Sequence, residues 1–376
     1  IWDAEMLDND ANDIDLSACT WKNLPIAELP PDAQRWARRY PVLLQPFPKS
    51  ADPRLPKWKA HVDEALLLTY SSAKKARDEL KPRRSSQKVS LQMQEEVQKL
   101  RDAHFVYPAE HNPFGICSVA LLVPKPDGKL RFTVNMKPVN ALLRCQLYPL
   151  RSVEECLQWC AQWTLFAKLD LDKGYFNCEN DASDELTRQC TCTIAQGMCF
   201  QWRVCAQGFS SMPPFFQKVM TDLLSDIPNA IAYLDDIIIG GNTIAEVEQA
   251  LDAVLARLSE YNFRINFAKC QFLVSSTVDI LGATIKDRRI FPGPKTAGLL
   301  SKLVCPNLQP TALLRRKHTQ MFLGLVNYFS KHMINSKFIV APLYKAITSE
   351  PWYWGPAEQS SYEAAIDALH NLTPLH

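Results

Sequence analysis

The sequence has no apolar run approaching the ~20 residues of a membrane-spanning helix, and its first residues are acidic where a secretory signal would carry an apolar core. Neither a transmembrane segment nor a signal peptide is expected. No CxxC pair is matched by a second CxxC or an HxxxH, so structural zinc is not expected despite 12 cysteines. Cys190 and Cys192 lie too close along one strand for an ordinary bridge. The thiols are read as unbridged, in a reducing intracellular compartment, cytoplasmic or nuclear. Internal repeats and low-complexity segments are missing as well. Acid is scarce in one stretch: residues 286–345 hold eleven Lys or Arg against the single acid Asp287.

The net charge of +2 hides this asymmetry. The first twenty residues carry six acids and no Lys or Arg, and residues 74–88 carry seven Lys or Arg against Asp78 and Glu79. A basic stretch suits a phosphate-backbone partner, and equally a solvated face. With 47% hydrophobic residues, the chain can fill globular cores. It begins with Ile1, which reads as a processed or excised piece of a longer polypeptide. Residues 1–57 are acidic and then rich in proline, and are expected to form an arm or linker with little core of its own.

Met93, Val97 and Leu100 fall at helical spacing, so a short amphipathic helix is expected over 90–100. The runs ICSVALLV and KLRFTV flank Asp127-Gly128, a hairpin signal. A second hairpin is expected from 191–194 to 200–204, turning at 195–197. Between them, LFAKLDLDKGYFN alternates Leu165, Ala167, Leu169 and Leu171 with Phe166, Lys168, Asp170 and Asp172. That is a strand with two acids on one face. Later, IAYLDDIIIG is an apolar strand, a two-acid turn and a second apolar strand. Thr243 and Glu246 then form a capping box ahead of a helix whose face is Val247, Leu251, Val254, Leu255 and Leu258. The region 311–369 reads as helices.

Asp235 and Asp236 sit at a turn between apolar strands. Two unit charges ~4 Å apart repel by about 4 kcal/mol at an effective dielectric of 20, so a fold that holds them there wants a cation. Carboxylates suit Mg²⁺. A solvated turn rich in Asp would look the same locally. Asp170 shifts the balance, because Asp is disfavoured mid-strand. One acid on a strand and two on a neighbouring turn can surround a metal pair suited to in-line phosphoryl transfer. Asp172 shares the face of Asp170 and is read as secondary.

In order, FAKLDLDKGYFN, AQGFSSMPPFFQ, AYLDDIII, ILGATI and MFLGLVNYFSKHM resemble reverse transcriptases of LTR retrotransposons, gypsy type, and of retroviruses, within the polymerase region of a pol polyprotein. The resemblance runs from about Trp58 onward. It implies an α+β right-hand polymerase with a mainly antiparallel palm sheet and a helical thumb. Residues 58–144 and 178–211 would be fingers, 145–177 and 212–287 palm, and 288–350 thumb. Residues 351–376 would begin a connection toward an RNase H domain that the chain does not contain.

The implied activity is RNA-directed DNA polymerisation by a nucleotidyltransferase, with DNA-templated synthesis as well. The implied metal ligands are Asp170, Asp235, Asp236 and the Leu171 carbonyl, holding two Mg²⁺, with Mn²⁺ as an alternative. Tyr175 would exclude a 2′-hydroxyl, Gln207 would touch the incoming nucleotide, and Lys125 and Arg131 would grip the triphosphate. Asn140, Leu281, Gly282, Arg315, Arg316 and Lys317 would meet primer and template. The implied partners are an RNA template, a DNA primer, their RNA/DNA hybrid and dNTPs, with a homodimer or a heterodimer with a longer pol product also allowed; no membrane partner is implied.

The chain departs from the family pattern in places. Asn135 stands where an acid is usual and Lys137 where an Arg is usual, Gln207 follows the retroviral variant, and ILG replaces FLG at 280–282. The alternative reading is a host-retained or subunit-type homologue that is catalytically silent and binds only nucleic acid or a protein partner.

Overall fold

The computed structural model describes residues 26–63, 65–67, 87–109, 116–124, 130–144, 148–195, 197–294, 304–333 and 335–370. The chain divides into two compact units. The first takes its described residues from 1–151, 168–239 and 248–273, and the second from 152–167, 240–247 and 274–376.

The first unit opens with helix α1, Pro31–Arg39, which starts on proline and buries Ala33, Trp36 and Ala37. Strand β1, Lys57–Trp58, pairs in parallel with a later strand, β6, Glu179–Asn180. Helix α2, Gln87–Asp102, buries Met93, Val97 and Leu100, the face read from their spacing. A five-stranded sheet follows. Its members are β2 (Val106–Pro108), β3 (Ser118–Pro124), β4 (Leu130–Asn135), β7 (Cys192–Ala195) and β8 (Met198–Trp202), in the order β2-β8-β7-β3-β4. β3 and β4 form the first expected hairpin, pairing Val123 with Arg131, and its tip lies outside the described residues. β7 and β8 form the second, closing at the pair Ala195 and Met198.

A second sheet is ordered β11-β5-β10-β9. It consists of β5 (Leu165–Asp170), β9 (Ala230–Tyr233), β10 (Asp236–Gly241) and β11 (Gln271–Ser275). Phe166, Ala167 and Leu169 are fully buried, as are Ile237, Ile238 and Ile239, so both faces of the middle strands are covered. Helix α5, Met212–Leu223, lies beside β9. Helix α6, Ile244–Glu260, buries Val247, Leu251, Val254, Leu255 and Leu258.

Residues 26–57 differ from the expected arm with little core. Trp36, Leu43, Phe47 and Leu55 are buried. Arg39 and the Tyr40 hydroxyl both reach Asp252 on α6 at 2.7 Å. The Asn262 amide donates to the Asp52 carboxylate at 2.6 Å. Glu179, almost fully buried, is paired with both Lys57 and Arg203. A buried carboxylate would be costly without such partners. The links from Arg39, Tyr40, Asp52 and Lys57 join segments more than 100 residues apart, so no local pattern announces them. Residues 1–25 lie outside the described part.

The second unit contains helix α3, Val153–Cys160, whose Ser152 N-cap and Glu155 form a reciprocal capping box, a device worth about 1 kcal/mol. A three-stranded meander, β12 (Thr277–Ile280), β13 (Ala283–Lys286) and β14 (Arg289–Pro292), turns at Leu281-Gly282 and Asp287-Arg288. All four turn residues have positive φ, the conformation that matches the twist of two-residue hairpins. Helices α7 (Ala312–Phe329), α8 (Ser336–Thr348) and α9 (Pro356–His370) surround one apolar core that includes Phe322, Val326, Phe329, Leu343 and Ala365. No helix among the described residues is long and apolar enough to cross a membrane.

Candidate active site

Three acids lie at or next to the ends of adjacent strands of the first unit. Asp170 closes β5. The β9–β10 hairpin pairs Tyr233 with Asp236, so Leu234 and Asp235 form its two-residue turn. Leu234 takes the left-handed conformation at φ 53°. The buried Gln217 on α5 holds that turn, accepting from the Leu234 N–H at 2.8 Å and donating to the Ala232 carbonyl at 2.9 Å. The Leu171 N–H donates to the Asp235 carbonyl at 3.2 Å, which ties the turn to the end of β5.

Beyond Asp170 the chain bends through Asp172, Lys173 and Gly174. Asn177, fully buried, fixes this bend by donating to the carbonyls of Asp172 and Gly174, both at 2.9 Å, and by accepting from the Arg264 N–H at 2.7 Å. Gly174 has φ +26°, and a Cβ there would stand 3.2 Å from the Asp235 Cβ. A glycine is needed because the backbone passes directly against the acid.

The acids are crowded and partly dry. Burial, followed by the proximity of Asp235 and Asp236, raises the Asp170 carboxyl to about 6, with Lys269 opposing. Asp235 is also raised, first by burial and further by Asp236. Asp236 pairs with Lys168 at 2.9 Å. Among the described residues no three His, Cys, Asp or Glu side chains converge on one metal position; Lys168 instead engages the third acid. The donor set still fits a hard cation, because burial and a neighbouring negative charge make two carboxyls weaker acids than usual, a penalty on the charged form that a divalent ion would relieve. The sequence reading did not anticipate Lys168, Gln217, Asn177 or Lys269 as parts of this site. Gly174 carried a local signal, as the glycine after a two-acid strand where the backbone can approach closely.

Residues 123–285 match the family model for reverse transcriptase (RNA-dependent DNA polymerase). They form a reverse-transcriptase domain. Curated relatives include the Transposon Tf2-3 and Tf2-7 polyproteins of Schizosaccharomyces pombe, 29% and 28% identical over 257 residues. The match covers 68% of this chain and 18% of each polyprotein, so the chain spans about a fifth of those relatives. The foamy viral protease-reverse transcriptase dRH in complex with double-stranded DNA superposes with a TM-score of 0.73 at 21% identity, over 96% of this chain and 61% of that one. The foamy viral protease-reverse transcriptase bound to an RNA/DNA hybrid gives 0.65 at 20% identity, over 94% and 46%. The fold is therefore the right-hand polymerase fold of reverse transcriptases.

Other expected site residues of the chain are scattered. The Tyr175 ring packs edge-on against Phe216, with centroids 5.1 Å apart, and burial pushes its hydroxyl up to about 12. The Gln207 Oε1 is buried and has no hydrogen-bond partner among the described residues. Asn140 donates to the Gly208 carbonyl at 2.8 Å and accepts from the Ser210 N–H at 2.9 Å, so its amide braces the loop after Gln207. Its described hydrogen bonds are thus internal ones. Lys125 lies outside the described residues, and Arg131 is described only as a backbone position on β4.

In the second unit, the Leu281 carbonyl accepts from the Tyr328 hydroxyl at 3.4 Å, and the Gly282 carbonyl accepts from the Gly293 N–H at 2.8 Å. Arg315 donates to the Gln309 carbonyl at 2.7 Å, and Arg316 holds Glu350 at 2.9 Å and the Ser349 carbonyl. The described partners of both arginines lie within their own unit. Lys317 is exposed.

Proposed function

We propose that the chain is an RNA-directed DNA polymerase, which also copies DNA, extending a primer 3′-hydroxyl by attack on the α-phosphate of a dNTP. The observation that carries this reading is the pair Asp170 and Asp235: two carboxyls raised by burial, beside a third acid, within the segment that matches the reverse-transcriptase family. Asp170, Asp235, Asp236 and the Leu171 carbonyl would hold two Mg²⁺, or Mn²⁺. When bound, the ions supply Lewis acidity at the attacking oxygen and neutralise the departing pyrophosphate.

The chain's own groups do the rest. Asp236 leaves Lys168 to join the other two acids. Asn177 and Gln217 keep the two acid-bearing loops at fixed spacing, where a misplacement of about 1 Å would cost roughly a hundredfold in rate. Tyr175, wedged against Phe216, blocks a 2′-hydroxyl by size. The unpartnered Gln207 oxygen accepts from the incoming nucleotide near its sugar. Lys125 and Arg131 meet the triphosphate. Leu281, Gly282 and Lys317 meet the primer–template backbone, a grip that weakens with salt.

The partners are an RNA template, a DNA primer and their hybrid, in line with the double-stranded DNA and RNA/DNA hybrid bound by the foamy viral enzymes. On this reading residues 58–144 and 178–211 serve as fingers, 145–177 and 212–287 as palm, and 288–350 as thumb.

The test is primer extension on an RNA template with dNTPs and Mg²⁺, beside an Asp235→Asn, Asp236→Asn double variant. Extension by the parent and none by the variant is expected. A parent that binds the duplex in a salt-sensitive way yet never extends it would sink the proposal and favour the silent, binding-only homologue.

A further inference from the structure

The five-stranded sheet holds three cysteines that the polymerase reading does not use. Cys192 lies on β7, Cys199 on β8, and Cys117 immediately precedes β3. The sheet order places β7 between β8 and β3. The register fixes which way the three face. Ser118 pairs with Thr193 in the parallel ladder, so Cys117 lies level with Cys192. Ile194 pairs with Cys199 in the antiparallel ladder, so Cys199 is the diagonal neighbour of Cys192. Paired residues share a face and residues two apart share a face. All three thiols therefore project from one side of the sheet, and each hydrogen-bonds the other two.

Their access to solvent differs. Cys117 and Cys192 are buried, whereas Cys199 is exposed, which no other described cysteine is. An exposed thiol backed by two buried ones is the arrangement of an attacking group beside resolving groups. No acid of the candidate metal site shares a strand with the cluster.

We propose that Cys199 is an oxidant-reactive site that takes hydrogen peroxide and is resolved to a disulfide by Cys192 or Cys117. The Cys199 thiolate attacks the peroxide: an S–O bond forms, the O–O bond breaks, and hydroxide departs and is protonated to water. The buried thiol, as its thiolate, then attacks the sulfenic sulfur. An S–S bond forms, the S–O bond breaks, and a second water leaves. Two thiols lose two electrons in total, and one hydrogen peroxide gains them. Hydrogen bonds from Cys117 and then Cys192 hold Cys199 well below the ordinary thiol range, which favours the attacking thiolate. Hydrogen bonding to Cys192 and Cys199, and then burial, push Cys117 upward, consistent with its role as the partner that reacts second.

The test uses the folded chain, hydrogen peroxide at one equivalent, alkylation of the remaining thiols and a non-reducing peptide map. A linkage of Cys199 to Cys192 or to Cys117 is expected, reversible by dithiothreitol and forming roughly tenfold or more faster than the loss of the half-buried Cys270 and Cys305 thiols. A Cys199→Ser variant should not form it. A Cys117→Ala, Cys192→Ala variant should stop at a sulfenic acid that dimedone traps. The proposal is overturned if Cys199 in the parent oxidises no faster than Cys305, or if it passes to the sulfinic acid with no disulfide.

Discussion

Replacing Asp170 by Asn should stabilise the chain while destroying its proposed activity. The carboxyl of Asp170 is raised from 3.8 to about 6, chiefly by burial. A carboxyl whose folded value lies above its unfolded value contributes most to stability when protonated, below the unfolded value, and that contribution is lost as pH rises through the folded value. At pH 8 the group is ionised in both states, and the full penalty falls on the folded one. At roughly 1.4 kcal/mol per tenfold change in acidity, the rise corresponds to about 3 kcal/mol. Partial exposure of the side chain screens this to about 1–2 kcal/mol. Asparagine keeps the shape and removes the charge. Urea unfolding in EDTA at pH 8 should therefore show Asp170→Asn to be more stable than the parent by that amount, with the difference shrinking toward pH 4. Mg²⁺ should narrow the gap from the other side by stabilising the parent alone. A variant equal to or weaker than the parent at pH 8 would refute the claim that this carboxyl is held at a cost.

Further outcomes follow from the same geometry. Gly174→Ala forces a Cβ to 3.2 Å from that of Asp235 at a left-handed backbone position; primer extension should fall about tenfold to a hundredfold for a stability loss near 1 kcal/mol, read by single-turnover kinetics beside a urea melt. Asn177→Ala leaves two buried carbonyls and the Arg264 N–H without their partner, and should cost about 3 kcal/mol in the same melt. Lys168→Met removes the cation paired with Asp236 and should lower the Mg²⁺ concentration needed for half-maximal extension; an unchanged requirement would mean that Lys168 does not compete for the acid. Asn140→Ala loosens the loop after Gln207 and should raise the KM for dNTP while leaving duplex affinity, measured by gel shift, unchanged.

The strand that carries Asp170, both hairpins of the five-stranded sheet and the buried face of α6 were legible because each is written in local alternation or helical spacing. Asp235 and Asp236 were legible for the same reason, although the structure assigns Leu234 and Asp235 to the turn and makes Asp236 the first residue of the next strand. Residues 26–57 were misread because proline and scattered apolar residues look like a linker until Asp52, Lys57 and Tyr40 find Asn262, Glu179 and Asp252, partners more than a hundred positions away. The internal hydrogen bonds of Asn140, Arg315 and Arg316 were equally illegible. A polar or basic side chain carries no local mark that distinguishes a ligand contact from a brace on its own backbone. Asn177 and Gln217, which fix the acid-bearing loops, were missed because a single buried amide leaves no periodic trace.

The central claim is that Asp170 and Asp235 together hold the cation that polymerisation needs. Iron-directed cleavage tests it most directly. Fe²⁺ substituted for Mg²⁺, with ascorbate and peroxide, cuts the backbone beside the bound ion. The Cys199→Ser variant serves as the substrate, so that peroxide chemistry at Cys199 does not intrude. Cuts clustered near 170–171 and 235–236, abolished by Asp170→Asn and competed away by Mg²⁺, are the expected result. Cleavage elsewhere, or a pattern that the Asp170→Asn change leaves intact, would contradict it.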